Sequence, residues 1–528
     1  MNPLSRLKNQ FSTVLELSKN NWRIGVAIFF GKIIGTFLVI AAMMVIPGMI
    51  STPAHAADTY TAHETTLINT VNTIWTLVAA FLVFGMQAGF VMLEAGFARK
   101  KETVNVLMEC IFDTCLCGIL FWAIGYAFMF SNGNGFIGLH WFFLSGAPAT
   151  YLATGIPILA HWIFQYAFAD TCSTIVSGAM IGRTSFRGDI LYSIGITGFI
   201  YPIIGHWAWG PDGFLALMGS KGNFLESLGQ GFRDFAGSTV VHTIGGIASL
   251  AGAIVLGPRM GRIFKRDDKE KGGLPPAHNL TVAAVGAFIL WFGWYGFNPG
   301  STLSAMDMQG IGRVAANTTL AACAGGMVAM YFALWFGPTK GKFDVGFTVN
   351  GLLGGLVAIT CPCYWVSPLG AILLGAVAGV VIFVGTNLLE YFRIDDPVGA
   401  VPVHGLCGIW GTLSLGLFAS GEYGATGPLG ADNSAPVKGL FYGGGLDVLK
   451  AQFIGSFTIT VATFVVTFAM MWIINKMPNP WKLRVEEHGE KAGLDVFEHG
   501  AAAYSEDEDD IDIQGLFEGG SVKNPVTA

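Results

Sequence analysis

Charge is what this chain has least of. Asp, Glu, Lys and Arg make up only 12% of its 528 residues, too few to cover the surface of a water-soluble protein of this length. The net charge of -6 sits largely in the C-terminal tail and says little about the body of the chain. Cysteine is sparse as well: Cys110, Cys115, Cys117, Cys172, Cys323, Cys361, Cys363 and Cys407. Most of these lie in apolar runs, where a thiol behaves as a small hydrophobe, and Cys361-Pro362-Cys363 is too short and isolated to hold a metal. No nucleophile–base pair and no cofactor loop is recognisable, so neither an enzyme nor a bound cofactor or metal is expected.

Apolar residues are present in excess, at 52%, with a mean hydropathy of +0.56. Their grouping into windows of roughly 20 residues predicts an all-α polytopic membrane protein. The 72 glycines suit close packing of helices in lipid. Residues 1–56 carry Arg6, Lys8, Lys19, Arg23 and Lys32, then an apolar run from Ile33 to Ile50, then Ala54-His55-Ala56. That order predicts a signal peptide cleaved before Ala57. Eleven spans are expected in residues 57–475, near 70–95, 103–130, 155–182, 188–208, 236–257, 279–298, 311–337, 345–361, 367–390, 399–419 and 450–475. Basic residues concentrate in alternate loops: Arg99 to Lys101, Arg183 and Arg187, Arg259 to Lys271, Lys340 and Lys342, and Arg393. The positive-inside rule then sets the mature N-terminus outside and the C-terminus in the cytosol. Residues 476–528 form a polar tail whose acidic run Glu506 to Asp510 is expected to be disordered.

One pattern occurs twice. Asp234, Gly237, Val241, His242, Gly246 and Ile247 match Asp396, Gly399, Val403, His404, Gly408 and Ile409, each offset by 162 positions. With five spans per half, the second copy must enter the membrane from the opposite side, giving a five-plus-five inverted repeat with an additional C-terminal helix. Each His lies eight residues beyond its Asp, or roughly 12 Å along a helix. In a hydrocarbon core about 30 Å thick, both should meet near the midplane. Intramembrane ionisable residues are rare and functional by default, and two at matched depth outweigh the reading of a single packed histidine. The Asp pair is expected to cap helix starts; for Asp234 an attraction for cations can coexist with that. Asp113 and Glu109 in span two are further intramembrane carboxylates, as is Asp170 in span three, and the sequence assigns them no role.

Four stretches, DFAGSTVVHTIGG, HNLTVAAVGAFILWFGWYGFNPGS, DDPVGAVPVHGLCGIWG and EEHGEKAGLDVFEHGAAAY, resemble the ammonium transporter family (Amt/Mep/Rh), on its Amt side. The resemblance spans roughly residues 65–505. It implies an eleven-helix homotrimer in the cell membrane with a pore through each subunit, ammonium or ammonia as substrate, and a PII-type regulatory protein as a possible cytosolic partner; nucleic acid is not expected. It further implies that Trp209, Ser301 and Phe168, with Asp234 nearby, recruit ammonium at the outer mouth. Phe297 resembles one of two stacked gate rings, and the other gate position falls on Cys172, which implies a less bulky gate. His242 and His404 resemble the twin histidines of the pore. Gly182 departs from the family's frequent Glu. The implied function is electrogenic ammonium uptake: ammonium is deprotonated, ammonia passes the histidines, and the proton follows. A passive ammonia gas channel and an ammonium sensor with little flux are the alternatives; no signalling module is recognisable after span eleven, which weighs against the sensor.

Overall fold

The computed structural model describes residues 60–151, 154–226, 231–338, 341–423 and 436–504. The expected signal peptide and the acidic run lie outside the described residues. Among those residues, nine helices are long and apolar enough to cross a membrane. They are α1 (Ala62–Phe97), α2 (Lys100–Phe130), α4 (Phe186–Trp209), α5 (Ser238–Leu256), α6 (Leu280–Thr302), α7 (Met308–Phe336), α9 (Pro368–Phe392), α10 (Val401–Phe418) and α11 (Asp447–Asn475). The two remaining expected spans are also helical. One is α3 (Ile158–Gly178), which carries His161, Gln165 and Asp170; the other is α8 (Val345–Thr360), only 16 residues long. In α3 every residue from Phe164 to Gly178 is buried, so it has no stripe that must match lipid and tolerates polar side chains. Two short helices follow in the tail, α12 (Glu487–Ala492) and α13 (Leu494–His499). A two-residue hairpin, β1 (Gly133–Asn134) with β2 (Ile137–Gly138), connects α2 to α3.

Helix starts are fixed by short polar side chains, which supply acceptors that a helix cannot supply for its own first turn. Ser185, Asn279, Asp307, Asp344 and Ser367 each accept a backbone N–H from the turn they open. Both α5 and α10 open instead in a widened π-helical turn, over Ser238–Thr243 and Val401–Leu406. Such turns recur at functional sites, and here each carries one of the repeated histidines.

Glycine sets how the repeats meet. A Cβ on Gly246 would lie 2.1 Å from the Gly405 nitrogen, and one on Gly408 would lie 2.4 Å from the Ser238 carbonyl and 2.5 Å from Thr243 Oγ1. Shifting Gly246 and Gly405 by the repeat offset gives Gly408 and Thr243, so the two contacts are copies of one another. The α5–α10 crossing is therefore two-fold, and the duplication is inverted as expected. The matched pair α1 and α6 closes in the same way, with Gly89, Gly96, Gly286 and Gly293 each against the facing helix.

The basic loops come together on one face, with the tail packed against them. Asp395 accepts from Arg259 Nε and Nη2 at 2.8 and 3.0 Å and from Arg262 Nε at 3.1 Å, while its carbonyl accepts from Arg183 Nη2 at 2.6 Å. Burial alone would push the Asp395 carboxyl up; the Arg259 hydrogen bonds and charge outweigh it and hold the group well below the usual carboxylate range. Arg484 ties the tail to Leu256 O at 2.6 Å and is held by the tail's own Glu490 at 2.7 Å. Gly182 also finds its reason on this face. Its φ is +83°, and a Cβ there would fall 2.4 Å from the carboxylate of Glu102, which pairs with Arg99.

The crossing can be tested directly. Gly246→Val forces a branched side chain into a backbone-to-backbone contact, at a cost of about 1–3 kcal/mol. The variant should melt at lower temperature in detergent and lose monodispersity on gel filtration. A wild-type melting curve would contradict the crossing.

Candidate functional site

At the end of the bundle remote from the basic face lies a cavity of about 340 Å³. Trp209, Phe168, Asp234 and Ser301 line it, together with Tyr151, His161 and Gln165. Trp209 closes α4; its indole Nε1 donates to the Asp234 carbonyl at 2.7 Å, and its ring meets Phe168 edge-on at 6.2 Å. Ser301 sits in the tight turn Asn298-Pro299-Gly300 that ends α6, and its hydroxyl donates to Phe297 O at 2.7 Å. Its oxygen lone pairs are then free to accept from a ligand.

Asp234 caps α5. Its carboxylate accepts from the backbone N–H groups of Gly237, Thr239 and Val240 at 3.1, 2.8 and 2.8 Å. Asp396 does the same for α10 with Gly399, Ala400 and Val401 at 2.9, 3.1 and 2.8 Å. Gly237 and Gly399 make both caps possible, with φ of +112° and +83°, in the region that favours glycine.

The floor of the cavity is a ring stack. Phe168 lies against Phe297 with centroids 4.0 Å apart and planes 24° from parallel. The ring opposite Phe297 is therefore Phe168, and not the Cys172 position one turn further along α3. Phe168, expected at the recruitment site, thus also stacks on Phe297, the ring expected at the gate, and belongs to the cavity wall and to the floor at once. Below Phe297 the aromatic line continues. His242 stacks on Phe297 at 5.3 Å and on Trp294 at 5.1 Å. His242 Nδ1 and His404 Nδ1 are 3.2 Å apart, one donating and the other accepting. His404 in turn lies 6.4 Å from Phe90, ring to ring. Beyond it a small cavity of about 20 Å³ is lined by Phe90, Glu94, Val403 and His404 among others, room for about one water molecule. Cavity, ring stack, imidazole pair and small cavity thus form one line through the bundle.

Sequence reasoning missed several members of this site. Trp294 was visible only as part of an aromatic run; in the structure it fixes the His242 plane, held by a 2.9 Å hydrogen bond from its Nε1 to Thr360 Oγ1. His161 stacks on Tyr151 at 3.7 Å and meets Tyr126 Oη at 2.8 Å. The four-residue spacing of His161 and Gln165, which puts both on one helix face, was the available signal.

With the geometry in place, the chain can be compared with known proteins. A profile of the Ammonium Transporter Family matches residues 74–504. The chain belongs to this family. It is 43% identical over 439 residues to the ammonium transporter Amt2 of Archaeoglobus fulgidus, covering 82% of this chain and 88% of that one. It is 37% identical over 433 residues to ammonium transporter 1 member 1 of Arabidopsis thaliana, covering 79% and 82%. Among solved structures, a sensor Amt protein superposes with a TM-score of 0.70 at 32% identity, covering 82% of this chain and 99% of that one. Mep2 of Saccharomyces cerevisiae gives 0.69 at 26% identity, covering 83% and 93%. The Ammonium Transporter Family assignment thus takes in α1 to α13 except for the first turns of α1.

The two caps make a measurable prediction. Asp234→Ala and Asp396→Ala each remove an acceptor for three buried N–H groups, a loss of about 2 kcal/mol at the upper end of the capping range. Each should lower the melting temperature, and Asp234→Asn, which keeps one acceptor oxygen, should lower it less. Equal melting of all four proteins would show that the caps carry no stability.

Proposed function

We propose that this chain transports ammonium, recruiting the cation in the large cavity and conducting ammonia past His242 and His404, with the proton accompanying it so that uptake is electrogenic. The observation that carries this reading is the unbroken line from an aromatic cavity, through stacked rings, to two imidazoles in contact. Trp209 and Phe168 offer π faces to a cation, and Ser301 offers an acceptor for its N–H. Asp234 already accepts three backbone hydrogen bonds, so it acts through its field more than as a direct ligand. The Phe168–Phe297 stack is the gate in this reading, and a ring must swing aside to open it. Ammonia crosses more easily than a hydrated ion, because the imidazoles offer directional nitrogens rather than a shell of oxygens.

The same reading takes α3 and α8 as spans, giving eleven, with the mature N-terminus outside, the tail in the cytosol and three copies in the assembly. A PII-type regulator would meet the basic face. The likeness to a solved sensor Amt protein favours one second reading, an ammonium sensor with little flux. Methylammonium accumulation in cells separates the two, since a sensor accumulates almost none. Ammonium pulses on reconstituted protein test the main reading: a sustained current supports it, and ammonia uptake without current points to a passive gas channel.

Two sets of variants probe the roles. Trp209→Leu and Ser301→Ala should each raise the half-saturating ammonium concentration about 5- to 30-fold, the equivalent of about 1–2 kcal/mol of cation–π or acceptor binding. Unchanged concentration dependence in both would remove them from recruitment. His404→Ala should lose the discrimination of ammonium from potassium in current recordings. It also leaves His242 without its partner, at about 1–3 kcal/mol of stability, so assembly is checked by gel filtration. Intact selectivity in an assembled variant would reduce the pair to packing.

A further inference from the structure

A second polar line runs beside the histidines, enclosed by α1 to α4. Asn105, Glu109 and Asp113 follow one another at four-residue intervals on α2, so they share one face over about 12 Å. Glu94 of α1 and Asp189 of α4 reach the same face, close enough for their charges to act on Glu109 and Asp113. Glu94, Glu109, Asp113 and Asp189 are each no more than 2% exposed. Among the described residues, the ion pairs of Arg and Lys are made with acids other than these four. Asp113 Oδ1 and Asp189 Oδ2 are fully enclosed without a hydrogen-bond partner, and the Ser193 hydroxyl faces Asp113. A buried carboxylate with no fixed cation is costly unless a proton neutralises it, and carboxyl groups that interact share protons readily.

The line has two ends, and both lead somewhere. At one end Glu94 lines the same small cavity as His404, with Ser177 Oγ donating to it at 3.3 Å. At the other end Asn105 Nδ2 donates to Glu109 at 2.8 Å, while Asn105 Oδ1 accepts from His499 Nε2 of the tail at 2.9 Å. His499 is half-buried and lies on the basic face. The symmetry of the fold supplies an internal control. The matching helices α6 to α9 hold the equivalent part of the second repeat together, and their single carboxylate is Glu390 near the end of α9, paired with Arg262. The scaffold therefore does not need acids at these depths.

Resting on the transport reading above, we propose that Glu94 takes the proton that leaves His404 and hands it to the Glu109–Asp113–Asp189 cluster, which releases it at the tail beside His499. In the first step an N–H bond of the His404 imidazolium breaks and an O–H bond forms on Glu94, with one water in the small cavity as carrier. In the next, that O–H breaks as one forms on the cluster. One proton enters at His404 and one leaves at the tail face; no electrons move. Ammonia continues through the small cavity, so the two products of deprotonation part below the histidine pair.

The test compares charge with ammonia. Wild type, Glu94→Gln and Asp113→Asn are reconstituted, charge is read as current on a solid-supported membrane, and ammonia uptake as alkalinisation of an entrapped dye. The ratio of charge to ammonia should fall at least tenfold in both assembled variants. An unchanged ratio overturns the relay while leaving the transport reading standing. A wild type without current overturns the charge-coupled reading and the relay together, so the two failures are distinguishable. Should neither variant assemble, infrared difference spectra of the wild type in H2O and D2O read the same step. Ammonium addition should then change the buried carboxyl C=O band, and a band that stays constant overturns the proposal.

Discussion

Everything at the centre of this molecule depends on two helices meeting where neither can afford a side chain. The α5 and α10 backbones approach through Gly246 against Gly405 and through Gly408 against Ser238 and Thr243. Only that approach brings the imidazoles, one from each helix, to 3.2 Å. Because the two helices carry the same pattern in opposite directions, one set of residues solves the packing problem twice. The widened turns at both helix starts serve the same end. They present each histidine from a turn with looser pitch, on a backbone that the Asp caps hold at its first N–H groups.

A second constraint follows from those caps. An acidic residue in a cation-collecting cavity would ordinarily read as a ligand. Here Asp234 is engaged by three backbone donors, so the cavity does not offer it as a free carboxylate. In the proposed recruitment of ammonium, recognition falls to aromatic faces and one hydroxyl, which would bind a cation weakly enough to release it. That balance suits a site whose occupant must move on.

Much of this was legible in the sequence, and the parts that were not share one cause. Helix positions, the inverted repeat and the meeting of His242 with His404 followed from apolar windows and one repeated spacing, because depth along a helix is fixed by its rise. Which side chains face each other across helices depends on rotation and lateral contact, and no single-chain pattern fixes those. Cys172 and Phe168 are one turn apart on the same face of α3, and only the α3–α6 contact decides that Phe168 stacks on Phe297. Trp294 shows the same limit: its place beside His242 rests on a hydrogen bond to Thr360 of α8, a helix far away in the chain. Gly182 and Glu102 depend on each other across a loop boundary in the same manner. The polar character of α3, an obstacle for any hydropathy rule, becomes natural once its burial on all sides is known.

The asymmetry between the halves is where the symmetric fold becomes directional. A perfect inverted repeat would look the same from both ends, and its pore would have no preferred side for charge. Two departures break that equivalence. Among the described residues, the aromatic cavity lies where α4 ends in Trp209 and the last turn of α6 carries Ser301, and the carboxylate line lies among α1 to α4. The first lies at one end of the histidine pair, where the proposed transport would gather its cation. The second begins at Glu94, on the other side of that pair, and runs toward the tail. A buried acid is costly unless something neutralises it, so its retention in one repeat, where the matching helices carry no carboxylate but Glu390, points to a demand that packing does not make. In the proposed transport, a charge brought in by the first departure would need a route onward from the imidazoles, and the second departure starts at the small cavity that Glu94 shares with His404.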